Sequence, residues 1–324
     1  MLSKVTDNIF KLVIHIPGGM HEVNSYLIKG KNGYTVIDTG LYSKEAMDTW
    51  KAVLESGVVV EKVILTHTHQ DHIGLAKWFQ EHIGVPVFTS KLGYKEMLKG
   101  RNADASTRKL KGLIKKHGGP ELPDHLKNDS FIFDFEPDGF FEEHDKIQFG
   151  TDFYEVVWTP GHAPDQYCFY QREKKVMIVG DHVLKSISPV IGLWTGEELN
   201  PMKEYYHSLA KINHYPVDIA LAGHGEDIMD LSDRVQSIKE KHDYRLQQLL
   251  EQISEKGKTA NDLCKAIYGE STLYTYISPF MATLTRLIYL ELAGELFRVE
   301  ENGIVYFKKT IHGSNAQRKL LKNL

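Results

Sequence analysis

Cysteine is nearly absent from this chain. Two stand among 324 residues, Cys168 and Cys264, far apart and without a CxxC spacing. That excludes a disulfide framework and a zinc ribbon built on thiolates, and it fits a reducing compartment. Long apolar runs are missing too, so no segment reads as a membrane span. The start, Met-Leu-Ser-Lys-Val-Thr-Asp-Asn, lacks the basic segment followed by an apolar one that marks a signal peptide. The expectation is a soluble, cytoplasmic protein with no membrane partner. Charge of one sign is also lacking: 39 Lys plus Arg face 43 Asp plus Glu, a formal net charge of −4. Any affinity for polyanions must therefore come from local patches. There are no long repeats and no low-complexity linkers. What remains is an ordinary globular balance, 42% apolar and 25% charged, sufficient for one large domain or a large and a small one.

Histidine is where the sequence becomes specific. Residues 63–74 read Val-Ile-Leu-Thr-His-Thr-His-Gln-Asp-His-Ile-Gly. Val63, Ile64 and Leu65 make a short buried strand, and Leu75, Trp78, Phe79 and Ile83 continue in a helical pattern. Two residues per strand repeat put His67 and His69 on one side. The turn into the helix can bring Asp71 and His72 round to face them. Imidazoles and a carboxylate gathered at a strand end suit zinc, iron or manganese. A lone histidine would read as a solvated loop residue; a run of this kind does not. The theme recurs at three later strand ends: Val156–Trp158 runs into Thr159-Pro160-Gly161-His162, Val176–Val179 into Gly180-Asp181-His182, and Ile219–Leu221 into Ala222-Gly223-His224-Gly225. Glycine allows the backbone to bend tightly beside a ligand.

Around these motifs the chain alternates strands and helices. Strands are expected at Ile9–Ile16, Val23–Ile28 and Tyr34–Ile37, with turns at Pro17-Gly18-Gly19 and Gly30–Gly33. Asp38-Thr39-Gly40 precedes a helix over about Ser43–Leu54, so Asp38 reads either as a helix-capping carboxylate or as an acceptor that orients a ligand histidine. Further strands are expected at Val85–Thr89, Phe131–Phe135, Lys146–Phe149, Phe153–Trp158 and Val217–Leu221. Residues 101–117 form an amphipathic basic helix carrying Arg101, Arg108, Lys109, Lys111, Lys115 and Lys116 against one acid, Asp104, and ending at Gly118-Gly119-Pro120. Beyond residue 230 come a long helix from Leu231 to Ile253, a short one capped by Thr259, a third over Pro279–Ala293, and a hairpin turning at Asn302-Gly303. Three helices and a two-stranded ribbon follow the order of a winged-helix module. The tail from Lys308 to Leu324 is basic, with five Lys/Arg and no acid.

The set Thr66-His67-Thr68-His69-Gln70-Asp71-His72-Ile73-Gly74, followed by His162, Asp181 and His224, with Asp38-Thr39-Gly40 ahead of it, resembles the metallo-β-lactamase-fold hydrolases over residues 8 to about 230. The resemblance implies an α/β fold, an αββα sandwich of two mixed sheets flanked by helices, with metals at one edge. It further implies two divalent metal ions, zinc first with iron or manganese admitted. His67, His69 and His162 would hold one; Asp71, His72 and His224 the other; Asp181 would bridge both. Asp181 stands where the true β-lactamases usually have cysteine, which is similar to the glyoxalase II, lactonase and RNase-type branches. The C-terminal part resembles the subgroup of β-lactamase-like protein 2, and it lacks the familiar glutathione-binding pattern of glyoxalase II. The implied domains are residues 1–230, the hydrolase domain with a basic helical insertion at 101–128, and 231–324, a helical linker and winged-helix-like domain.

The chemistry implied is hydrolysis by a hydroxide held between two metal ions, with Asp71 as the nearest carboxylate to orient it or relay a proton. The favoured reading is a hydrolase acting on an ester- or thioester-type acyl bond of a small molecule. Ile187, Val190, Ile191, Leu193 and Trp194 either line its pocket or cover the core. The alternatives are an endoribonuclease cleaving single-stranded RNA, for which the basic helix and C-terminal module speak, a lactonase, and a metal-sensing binding protein. A homodimer formed through the C-terminal module is a further expectation.

Overall fold

A computed structural model describes residues 2–17, 20–123, 129–270 and 272–310. The Gly18-Gly19 part of the first expected turn, residues 124–128 of the insertion and the basic tail from residue 311 lie outside the described residues. The described residues contain no helix long and apolar enough to cross a membrane.

Seven strands form the first sheet in sequence order: β1 (Ser3–Lys4), β2 (Ile9–His15), β3 (Glu22–Lys29), β4 (Tyr34–Ile37), β5 (Val60–Ile64), β6 (Val87–Ser90) and β7 (Gly139–Phe141). Pairing is antiparallel from β1 to β4 and parallel from β4 to β7. The second sheet runs β12-β11-β10-β9-β8, from β8 (Lys146–Phe149), β9 (Asp152–Trp158), β10 (Tyr167–Gln171), β11 (Val176–Gly180) and β12 (Ile219–Ala222). Only β11 and β12 are parallel there, so both sheets are mixed.

Alternation along the strands builds two apolar layers. On β3, Val23 and Leu27 enter one core while Tyr26 and Ile28 enter the other. The first core is closed by Trp50 of α1 (Lys44–Glu55), by Phe79, and by Met97 of α4 (Lys91–Gly100). The second joins the sheets: Ile37 and Ile64 pack with Phe149, Val156, Phe169, Ile178 and Leu221. Ser43 caps α1 by accepting a hydrogen bond from the Ala46 amide.

Several expected elements take another form. The helix after the histidine run is broken into α2 (Gln70–Ile73), α3 (Ala76–Trp78) and a π-helical turn at Phe79–Ile83, ended by Gly84 at φ 75°. Phe131–Phe135 is no strand: Ser130–Phe133 is a 3-10 turn that buries Ile132 against the first core, and three aromatics in five residues carry no decisive period. The Pro279 helix begins earlier, at Leu273, with the proline inside it.

The compact units differ from a single cut after residue 230. One comprises residues 1–102, 129–189 and 211–235; the other comprises 103–128, 190–210 and 236–324. Both sheets belong to the first. The second holds α5 (Ala103–Lys116), most of α6 (Pro201–Ile212) and α7 (Leu231–Gln252), then α8 (Ala260–Tyr268), α9 (Leu273–Leu292) and the hairpin β13 (Leu296–Glu301) and β14 (Ile304–Lys309). The basic insertion joins the C-terminal part because Leu113 and Ile114 are buried and the His117 ring stacks on Phe307 at 5.8 Å. Arg101 is not part of that basic helix. It sits in the first unit, after α4, and donates to the carbonyls of Phe133 and Phe135 and to Glu136. Of the apolar group after Asp181, Ile191 and Leu193 are buried and Ile187 is exposed.

Candidate metal centre

Every expected ligand sits just beyond a strand, in the first unit. His67–His72 follow β5, His162 lies between β9 and β10, and Asp181 and His224 follow β11 and β12. The structure brings all seven together. His67, His69 and His162 form one group, His67, His72 and Asp181 a second, and Asp71, His72 and His224 a third; within each, the donor atoms lie within 4.8 Å of one another.

The first group is a triad of imidazoles. His69 Nδ1 and His162 Nε2 are 2.9 Å apart, and the His67 and His69 rings meet edge to face at 4.6 Å. Around the other donors, carboxylates and imidazoles alternate. Asp181 faces both sides: Oδ1 is 3.4 Å from His72 Nε2, while Oδ2 is 3.5 Å from His162 Nε2 and 3.3 Å from His224 Nε2. Asp71 Oδ2 is 3.3 Å from His224 Nε2, and its side chain is 28% exposed. Burial pushes His67 well down and His69 down to about 3, helped by neighbouring imidazoles, so both are neutral and keep a lone pair for a metal. Burial would also lower His72 and His224. The carboxylates of Asp181 and Asp71 outweigh it, raising His72 well above its usual range and His224 to about 10. Burial acts the other way on the carboxyls, and those same imidazoles overcome it, holding Asp71 at about 2 and Asp181 well below its usual range.

These groups fit divalent metal. His67 Nε2 is buried and makes no hydrogen bond, and His72 Nε2 and Asp181 Oδ1, equally buried, make none beyond their 3.4 Å ion pair with each other, which is costly for polar atoms unless something else satisfies them. Paired carboxylates already hold two imidazolium charges, and a cation there would displace those protons. Nitrogen and carboxylate donors suit zinc, iron or manganese alike.

The supporting hydrogen bonds are equally specific. Asp38 is not a helix cap, a place taken by Ser43. Its Oδ1 accepts from the Thr66 amide at 2.8 Å, and its Oδ2 accepts from Thr66 Oγ1 at 2.7 Å and from His72 Nδ1 at 2.8 Å. Gly223 permits close approach, since a Cβ there would stand 2.2 Å from Asp181 Oδ1. Sequence reasoning passed over Asp165 and Asn24. Thr68, between His67 and His69, donates to Asp165 Oδ2 at 2.8 Å, tying that loop to the one carrying His162; burial pushes the Asp165 carboxyl up to about 7. Asn24 binds the loop of His224. Its signal was a pair of small polar residues, Asn24 and Ser25, between apolar ones in the strand Val23-Asn24-Ser25-Tyr26-Leu27-Ile28.

Comparison with known proteins gives the family. Residues 18–243 match the model of the metallo-beta-lactamase superfamily. A probable metallo-hydrolase of Bacillus subtilis, YqjP, is 26% identical over 94% of this chain and 98% of its own length. An atrochrysone carboxyl ACP thioesterase of Aspergillus chevalieri is 23% identical over 91% of this chain and 83% of its own. Among solved structures, a metallo-beta-lactamase family protein of Thermus thermophilus superposes with a TM-score of 0.81 at 28% identity, covering 94% of this chain and 99% of that one. With its two mixed sheets, its donors at the strand ends and a family match over most of its length, the chain belongs to the metallo-beta-lactamase superfamily and is one of its hydrolases.

Proposed function

We propose that the protein is a dinuclear metal-dependent hydrolase that cleaves an ester- or thioester-type acyl bond of a small molecule. The observation that carries the dinuclear part is Asp181, whose two oxygens reach toward His162, His72 and His224 within 3.5 Å. One carboxylate so placed is suited to lie between two ions. His67, His69 and His162 would hold one, and Asp71, His72 and His224 the other. Two divalent ions would lower the pKa of a bound water and polarise the scissile carbonyl. Asp71 is the partly exposed carboxylate of the set, placed to orient a water and take its proton at Oδ2. Asp38 holds His72 by Nδ1, leaving Nε2 turned toward Asp181 and free to bind an ion.

The acyl reading draws support from the thioesterase named among the relatives. The electrostatics of the second unit weigh against RNA: Lys109 pairs with Glu197 and Lys116 with Glu198, both at 2.8 Å. The three helices and the ribbon from α7 to β14 are read as a winged-helix-like module serving self-association, and two buried, free cysteines fit a cytoplasmic setting.

The test is elemental analysis of protein purified without chelator, followed by assay against acyl thioesters, lactones and single-stranded RNA. Two ions per chain and thioester turnover that disappears in His67→Ala and Asp181→Ala are expected. A metal content near zero, or cleavage of RNA alone, overturns the proposal.

A further inference from the structure

Asn24 and Tyr26 stand two residues apart on one face of β3, and both reach the loop that carries His224. Asn24 Nδ2 donates to the carbonyls of Ala222 and Gly225, each at 2.9 Å, while the Asn24 amide donates to the Gly223 carbonyl at 2.7 Å. The Tyr26 hydroxyl donates to the Ala222 carbonyl at 2.8 Å. His224 itself donates through Nδ1 to the carbonyl of Glu22, at the start of the same strand. Backbone carbonyls on both sides of His224 are thus tied to one asparagine nearly two hundred residues earlier in the chain.

The arrangement fixes more than a turn. With Nδ1 committed to Glu22, His224 presents Nε2, and that atom lies 3.3 Å from both Asp71 Oδ2 and Asp181 Oδ2. The loop runs close to the Asp181 carboxylate: a Cβ added at Gly223 would stand 2.2 Å from Asp181 Oδ1, so there is no room for a side chain between them. Asn24 is 1% exposed, and its Oδ1 is buried without a hydrogen-bond partner. An orphaned amide oxygen costs stability, and stability alone would favour a residue without it. What asparagine supplies is an Nδ2 group with two hydrogens, one for each flanking carbonyl.

We infer that Asn24 is a positioning residue for His224, the clamp that sets one ligand of the second metal ion while leaving the imidazole triad of the first untouched. The inference rests on the dinuclear reading above. It is tested on chelator-stripped full-length protein by titration with Zn2+ against a chromophoric chelator and by the visible spectrum of the Co2+ form. Asn24→Asp keeps the side chain's size but sets a carboxylate against two carbonyls; Asn24→Ala removes the clamp. In both, the first ion should bind within about threefold of wild type and the second about 10–100-fold more weakly, the range for lost partners of metal ligands. The Co2+ spectrum of Asn24→Asp should approach that of His224→Ala. Tyr26→Phe, which leaves the asparagine clamp intact, should keep both ions. If wild type takes two ions and both Asn24 variants bind them with unchanged affinity, the role of Asn24 is overturned and the dinuclear reading stands. If wild type takes fewer than two, the dinuclear reading falls first and this inference with it.

Discussion

Asp38 Oδ2 lies 2.8 Å from His72 Nδ1, and the carboxylate's other oxygen takes the amide of Thr66, one residue ahead of His67. One side chain from the end of β4 therefore holds both ends of the ligand run that follows β5. Asp38 does so from a left-handed backbone, φ 58°, which aspartate and asparagine tolerate better than most residues.

That conformation makes Asp38→Asn the clean test of its role. Asparagine keeps the size and the backbone preference, but its amide group must now oppose a donor, either the Thr66 amide or His72 Nδ1. Metal affinity should fall about 10–100-fold, as for other lost partners of ligand histidines. Competition with a chromophoric chelator measures it. An affinity within threefold of wild type would reduce Asp38 to a structural residue.

How legible was this centre before the structure? The candidate ligands were plain, because a histidine-rich run at one strand end and histidine or aspartate beside glycine at three others are chemistry-bearing residues in a repeated setting. Short strands between turn residues were plain too: Tyr34–Ile37 and Lys146–Phe149 have the bounds expected of them. Tyr167–Gln171 was missed although it is as fully buried as Val176–Gly180: the latter shows an unbroken apolar run, whereas Tyr, Cys and Gln interrupt the former, and burial of every residue removes any alternation. Asn24 and Asp165 act through hydrogen bonds to segments distant in sequence, which no local pattern encodes. The basic insertion's attachment to the C-terminal part rests on the contact of His117 with Phe307 and was equally invisible.

Gly223→Ala should disable the centre with the fold intact. The added methyl would stand 2.2 Å from Asp181 Oδ1 and 2.8 Å from His72 Cε1, so either the loop or the carboxylate must move. Metal content and thioester turnover should both collapse while far-ultraviolet circular dichroism stays native. Retained metal at native stoichiometry would show that the loop can yield.

Stability of the second unit should respond to acid through His242. Burial, aided by the charge of Arg286, depresses its pKa to about 3, and Arg286 donates to its Nδ1 at 3.0 Å. Because the folded value lies below the unfolded one, the stabilisation is fully present above about pH 6.5 and is lost as the pH falls toward 3. The slope approaches about 1.4 kcal/mol per pH unit in that window. His242→Gln, which cannot titrate, should flatten it. Urea unfolding at pH 7, 5.5 and 4.5 reads the difference; identical slopes for wild type and variant would exclude His242 as the titrating group.

The basic helix α5 separates the acyl reading from the nucleolytic one. Its lysines would serve RNA only if their charges were free to replace counterions on phosphates, and such binding weakens steeply with salt. Two of them are already engaged within their own unit, Lys109 with Glu197 and Lys116 with Glu198. Glu198 is shared further with Arg298 and lies 3.3 Å from His117 Nε2, a network that holds its carboxyl at about 2 despite burial. Half-exposed pairs of this kind are worth roughly 0–1 kcal/mol each, so replacing Lys109, Lys111, Lys115 and Lys116 by glutamine should lower stability only slightly. Turnover of an activated thioester should change by less than about twofold, because no residue of the metal centre lies on this helix. Single-stranded RNA should bind wild type and variant alike, weakly and with a shallow salt dependence. Tight, salt-sensitive RNA binding by the native protein that vanishes in the fourfold variant would reverse the assignment and make the helix a phosphate-binding face.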